Sequence, residues 1–447
     1  MPTRYPKAHI PENTVNLSRL DLEPERSRRR GFGVRLTIIN QFFAPDLAPT
    51  GQLAAQLAEH RAALGDDVTV VTGSGGYVGA RSPGRQTQRA GLRIRRIWTP
   101  GLGKANFLTR VADYGAFYLL ATLRVLLLPR QDLVLSLTTP PFIALAAALY
   151  KLLHPRTRVV LWSMDCYPEM LERTGIIHPA GWISRVMRSL NRWLFQHLDG
   201  LVCPDPAMKS LLTGQYPSAH LGEFAAVIPN WEPAAAFLPS AHGDPWRPPE
   251  LEGRFVVLYM GNAGMGHDFK SVLSAAERLQ DEPVAFAFVG GGTKWDWLQQ
   301  QRSARNLSNL HLFPYVPEAL RLPVLATGDC GLITLKDEAL GVISPSKLHA
   351  YLAMGLPVLY IGPVGGNVDL AIERYQCGLS VRHGDVDGIV SFIRELRQDR
   401  SKHSALRERA RRAFETAFHD GVALSTFDKF LEGVLEGSPS PPRPKTP

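Results

Sequence analysis

Three stretches carry residue types that do chemistry. The first is SPSKLHAYLAMGLPVLYIGP, residues 344–363. Ser344-Pro345 has the form of an N-cap followed by a proline at the first helical position. Leu348, Leu352 and Met354, with Ala350 and Ala353, give one apolar helical face, and Gly355 ends it. Free N–H groups at such a helix start, with Ser346 and Lys347 beside them, attract an anion such as a nucleotide phosphate. An ordinary helix–turn–strand of any α/β domain has the same outline. The second stretch is MDCYPE, residues 164–169, directly after the apolar run 158–163. Asp165 and Glu169 thus stand beyond a strand's carboxyl end, where doubly wound sheets bind ligands, although capping of the next turn explains them as well. The third type is the glycine-bearing loop. Thr50-Gly51 begins a helix, and Gly261-Asn262-Ala263-Gly264-Met265-Gly266-His267 follows a strand. Glycine lets a ligand approach the backbone closely, but neither loop completes a dinucleotide or Walker fingerprint.

The hydrophobic pattern supplies a scaffold for these residues twice. Buried-strand runs fall at 34–40, 68–72, 94–98, 132–138, 158–163, 201–204 and 227–228, with helices over 107–128 and 142–153. A proline-rich segment from Pro229 to about Pro249 reads as a linker. The series then restarts at 255–260, 284–289, 311–313, 330–334 and 358–361. Alternating strands and helices of this kind predict α/β architecture with two Rossmann-like doubly wound domains facing a cleft. The expected boundaries are a disordered basic extension 1–33, a first domain 34–235, a second domain 250–418 and a disordered tail 437–447. A helix near 420–436 is expected to pack back on the first domain.

With 447 residues, 45% hydrophobic, the chain has material for two cores. Its four cysteines, Cys166, Cys203, Cys330 and Cys377, form no CxxC pair and offer no metal site. Charge is uneven: residues 1–200 hold 26 Lys+Arg against 14 Asp+Glu, and residues 201–447 hold 24 against 27. A basic first half points to an anionic partner on one lobe. Without a helix-turn-helix, zinc spacing or RNA-binding signature, an anionic membrane surface is expected and nucleic acid is not. No apolar run reaches the length of a span, and the start, ending in Arg28-Arg29-Arg30, has no signal-peptide core. Asp385-Val386-Asp387 mimics a metal-binding DxD motif but precedes a helix and reads as a cap, and His349 reads as structural.

Together these pieces resemble the retaining GT-B glycosyltransferases of the family-4 type, in the bacterial branch that builds O-antigen, capsule and exopolysaccharide. Seven motifs in the family's order carry the resemblance: residues 40–72, DLVLSLTTPP at 132–141, MDCYPE at 164–169, IPNW at 228–231, LYMGNAGMGHDF at 258–269, FVGGGTKW at 288–295 and residues 344–363. The resemblance implies a donor site in which Gly51 lies against the phosphates from the first lobe. Gly261, Asn262, Gly264 and His267 would form the second lobe's phosphate loop, with Ser344, Ser346 and Lys347 meeting the nucleotide. Asp165, with Lys347 as the other catalytic residue, would face the transferred sugar or acceptor hydroxyl; Thr50 and Glu169 would lie on the acceptor side. It further implies a nucleotide-diphosphate sugar as donor substrate, UDP- by expectation, with no metal or other cofactor. The acceptor would be a lipid-linked saccharide, reached from the inner face of the plasma membrane. Two glutamates that many relatives carry fall here at Val342 and Ala350, so both carboxylates are missing. A nucleotide-sugar epimerase of the same fold and a non-catalytic nucleotide-sugar-binding partner are the alternatives.

Overall fold

The computed structural model describes residues 33–46, 48–74, 86–89, 91–98, 107–218, 221, 224–238 and 244–437. The stretch containing Arg28 to Arg30 and the C-terminal tail beyond residue 437 lie outside them. The first half runs β1 (Arg35–Ile39), α1 (Pro49–Ala63), β2 (Asp67–Gly73), β3 (Gln86–Arg89), β4 (Leu92–Ile97), α2 (Phe107–Leu126), β5 (Leu133–Leu137) and α3 (Ala144–Leu153). It continues through β6 (Arg158–Trp162), α4 (Glu169–Arg173), α5 (Trp182–His197), β7 (Gly200–Cys203), α6 (Pro206–Gln215) and β8 (Ala225–Val227). The eight strands pair in the order β3-β4-β2-β1-β5-β6-β7-β8. All neighbours are parallel except β3 and β4. Valine- and leucine-rich strands such as LVLSL in β5 are buried along their whole length, as helices on both faces of a parallel sheet require. The edge strand β3, QTQR, has no such pattern, and its polar sequence gave no sign of a strand.

The second half contains β9 (Phe255–Asn262), α7 (Lys270–Arg278), β10 (Val284–Gly291), α8 (Trp295–Ala304), β11 (Leu310–Phe313), α9 (Arg321–Thr327) and β12 (Cys330–Thr334). Then follow α10 (Lys347–Ala353), β13 (Val358–Ile361), α11 (Asn367–Tyr375), β14 (Gly378–Val381), α12 (Val386–Gln398), α13 (Arg400–Ala413) and α14 (Asp420–Glu436). Its six parallel strands lie in the order β11-β10-β9-β12-β13-β14, so chain direction across the sheet reverses between β9 and β12. That switch point is where open α/β sheets hold ligands.

The last helix returns to the first sheet. Phe427 of α14 meets Trp162 edge-on at 4.7 Å and Trp231 at 5.9 Å, while the two indoles stack at 5.6 Å. On the same side, Asp428 accepts from Arg61 and pairs with His60 at 2.7 Å. Asp385 caps α12 by accepting from the Gly388 N–H, and Asp387 pairs with Arg278 at 2.5 Å, so the DxD-like motif is spent on local structure.

Candidate active site at the seam of the two sheets

The second sheet brings a cation to its switch point. One residue before the end of β9 stands Gly261, whose φ is 125°, beside Gly290, one residue before the end of β10. A Cβ on Gly290 would lie 2.1 Å from the Gly261 carbonyl oxygen, so a side chain there is excluded and the strand tips stay bare. Lys347, the first residue of α10, extends over them: a Cβ on Gly261 would lie 3.4 Å from its Cε, and its Nζ stands 4.5 Å from the centre of the Tyr259 ring. No carboxylate among the described residues pairs with it, and burial pulls its pKa down to about 8. Tyr351 fixes this helix to the strand, donating to the Leu258 carbonyl at 3.1 Å and accepting from the Met260 N–H at 2.9 Å.

His267 lies under the same crevice. Its Nδ1 donates to the Thr334 carbonyl at 2.6 Å, which fixes the tautomer. Burial first, then the charges of Lys347, Lys294 and Lys336, depress its pKa to about 3, so the ring is neutral at physiological pH. Those charges reveal two lysines that the sequence motifs did not single out, both near the strand tips. Asn262 is exposed and Gly264 half-buried at the mouth, where a Cβ on Gly264 would meet the Asn262 amide at 3.3 Å.

The expected helix start needs correction. Ser344-Pro345 does not start the helix: Ser344 Oγ accepts from Asn367 Nδ2 at 2.8 Å, and α10 begins only at Lys347. With seven residues and no side-chain cap at Ser346, it provides less of a dipole than the sequence pattern suggested. Gly51 is buried at the third position of α1, where a Cβ would sit 3.0 Å from the Phe42 carbonyl carbon; its smallness serves the fold of its own loop. Thr50, beside it, is half-buried. Val342 and Ala350 are buried, so neither can bond a ribose. Asp337 and Glu338 are exposed on the single turn 337–339.

In the first sheet, the loop after β6 holds Asp165. The Met164 and Asp165 N–H groups donate to Thr138 Oγ1 at 3.0 and 3.2 Å. Asp165 borders a cavity of about 30 Å³ shared with Thr138, Ser163, Tyr167, Asn191 and Phe195. Burial raises its pKa to about 6. Glu169, four residues on, is different: it is buried, accepts from the Tyr216 hydroxyl and leaves Oε2 without a partner among the described residues. Its place is inside the domain, because a carboxylate at the start of α4 points inward onto Tyr216 at the end of α6. His349 is likewise interior, bonded to the Ser346 carbonyl at 3.0 Å.

The two lobes touch at this seam. Cys166 Sγ donates to the Gly341 carbonyl at 3.4 Å, so the loop carrying Asp165 abuts the loop leading into Lys347. Arg173 donates to the Leu340 carbonyl at 2.6 Å. Asp205 is the firmest link. Buried, it caps α6 by accepting from the Ala207 N–H at 2.7 Å and reaches the Asn367 N–H of α11, in the other lobe, at 2.9 Å. The Asp205→Ala variant loses a cap and strands a buried amide, and is expected to be destabilised by about 3 kcal/mol. Asp205→Asn, keeping one acceptor oxygen, should lose about half of that. Urea unfolding checks both, and unchanged midpoints would remove Asp205 as a link.

Two Rossmann-like sheets that meet through the loops at their strands' carboxyl ends define the GT-B glycosyltransferase architecture. Residues 50–231 match the glycosyl transferase 4-like domain family and residues 244–413 match glycosyl transferases group 1; the chain is a glycosyltransferase built of these two domains. It is 25% identical over 401 residues to the putative colanic acid biosynthesis glycosyl transferase WcaI of Escherichia coli, covering 83% of this chain and 94% of that one. It is 27% identical over 275 residues to the probable glycosyltransferase WbjE of Pseudomonas aeruginosa, covering 60% of this chain and 66% of WbjE. Among solved structures it resembles Anabaena HepE in complex with UDP, with a TM-score of 0.62 at 13% identity over 89% of this chain and 100% of HepE.

Proposed function

We propose that the protein transfers a sugar from a uridine-diphosphate sugar to a lipid-linked or polysaccharide acceptor in cell-surface glycan biosynthesis, with retention of anomeric configuration. The reaction would take place at the inner face of the plasma membrane without a metal held by the protein. The observation that carries this reading is Lys347, a cation over the bare strand tip at Gly261 with no carboxylate partner among the described residues. As the glycosidic bond breaks, the leaving diphosphate gains negative charge, and a cation fixed beforehand stabilises it more in the transition state than in the ground state. Lys294 and Lys336 add to the field there. Asp165, ionised above about pH 6, hydrogen-bonds the transferred sugar or the attacking acceptor hydroxyl across the seam. The colanic acid role in the name of WcaI and the UDP bound by HepE support the pathway class and the donor base.

A thermal-shift screen of UDP, GDP, ADP and CMP, with and without magnesium, tests the donor half. UDP at about 100 times its Kd should stabilise the protein by about 2.7 kcal/mol, without magnesium. No shift with any nucleotide would refute the donor reading. A shift without any turnover would favour a nucleotide-sugar-binding partner, and donor conversion in the absence of acceptor would favour an epimerase.

A further inference from the structure

α2, α3 and α5 lie side by side on one face of the first sheet, with α1 and α14 on the other. The inner sides of the three helices are buried, with Phe117, Tyr150 and Leu194 in the core. Their outer side is apolar too. Eleven of the nineteen exposed large hydrophobic residues of the described chain lie on or immediately after these helices, among them Leu123, Leu127, Leu152, Leu153, Trp182 and Val186. Leu127 is 77% exposed and Trp182 69%. So dense a concentration on one face marks an interaction surface.

Charge decides what covers it. The described residues 115–126, 144–153 and 182–197 contain no Asp or Glu, while Arg130, Arg156, Arg185 and Arg192 are exposed along the rim. The carboxylates at its borders are neutralised: Glu172 pairs with Arg188, and Asp199 with Lys151 and Arg158. A second copy of this chain would set arginine against arginine. An anionic bilayer surface offers acyl chains to the leucines and phosphate to the arginines, and a tryptophan suits the headgroup level. No helix among the described residues is long and apolar enough to cross a membrane, which leaves docking on the surface.

We propose that the outer face of α2, α3 and α5 docks the protein on an anionic lipid surface, with Trp182 at the cleft end. The helices that carry the face also wall the Asp165 cavity, through Ala144 on α3 and Asn191, Leu194 and Phe195 on α5. Docking therefore presents the acceptor side of the seam to the bilayer. This purpose rests on the lipid-linked acceptor proposed above; the docking itself does not.

The test is flotation of the full chain with vesicles of phosphatidylcholine alone or with phosphatidylglycerol added. Flotation should be at least about tenfold greater with the anionic vesicles. Leu123→Asp/Leu127→Asp and Trp182→Asp should each lower it at least about tenfold, with the melting temperature and the UDP-induced shift unchanged. Arg185→Glu/Arg192→Glu should abolish the preference for anionic lipid. The proposal is overturned if the parent stays at the bottom with anionic vesicles, or if the variants float as well as the parent. It also falls if light scattering finds a dimer that Leu123→Asp/Leu127→Asp dissociates. Transfer to a detergent-solubilised lipid-linked acceptor is read on the same preparations. A parent that transfers but does not float overturns the docking face alone, and a parent that floats but does not transfer overturns the acceptor reading alone.

Discussion

Lys347→Ala should lower kcat/KM about 100- to 1,000-fold, a loss of about 3–4 kcal/mol of transition-state stabilisation. The free protein should not be weakened. Lys347 has no carboxylate partner among the described residues, and burial holds its pKa at about 8, below the ordinary lysine range, so its charge is carried at a cost until an anion arrives. The sign with pH follows. Between about pH 8 and the ordinary lysine pKa of about 10.4, the unfolded chain binds the proton and the folded chain does not, so stability of the free protein rises with pH there. Donor affinity moves the opposite way, falling above about pH 8 as the cation is lost. In Lys347→Met both trends should disappear, which separates an electrostatic role from packing. Calorimetric titration of UDP across this range is the measurement, and an unchanged profile in the variant would remove Lys347 from the donor site. Lys347→Arg should restore little, because a planar guanidinium must fit where a Cβ on Gly261 would already lie 3.4 Å from the side chain.

Asp165→Asn should lower kcat about 100-fold, the lower end for removing a positioned carboxylate from a reacting centre. The ascending limb of the pH–rate profile near pH 6 should vanish with it. Stability gives an independent reading. Burial raises the folded-state pKa above the ordinary aspartate value of about 3.9, so the folded protein holds a proton that the unfolded chain has released, and stability falls as pH rises through about 4 to about 6. The asparagine variant should therefore melt higher than the parent at pH 7 and match it below about pH 4. A variant with full activity and an unchanged acid limb would make Asp165 structural. With Lys347 intact, the active enzyme is expected between an acid limb near 6 and an alkaline limb near 8.

The two sheets are legible in the sequence, because runs such as LVLSL and VLYI are almost wholly apolar and have nowhere to go but between layers of helices. Gly261 and Asp165 stand out in the sequence beside strand ends, and Lys347 beside a helix start. It placed the start of α10 too early: Ser344-Pro345 satisfies every local rule for a cap, but the serine hydroxyl is claimed by Asn367, 23 residues away. Asp165 and Glu169 are the same kind of group four residues apart, and only packing separated them. One borders a cavity and the other is sealed against Tyr216. Asp205-Pro206 announces a helix cap locally, yet its second partner, the Asn367 amide, lies 162 residues on. Local rules follow from dihedral angles and nearest neighbours, which a sequence states directly. Contacts between a cation and a bare strand tip, or across the seam of two domains, depend on the path of the chain between them, and the tertiary structure alone supplies that.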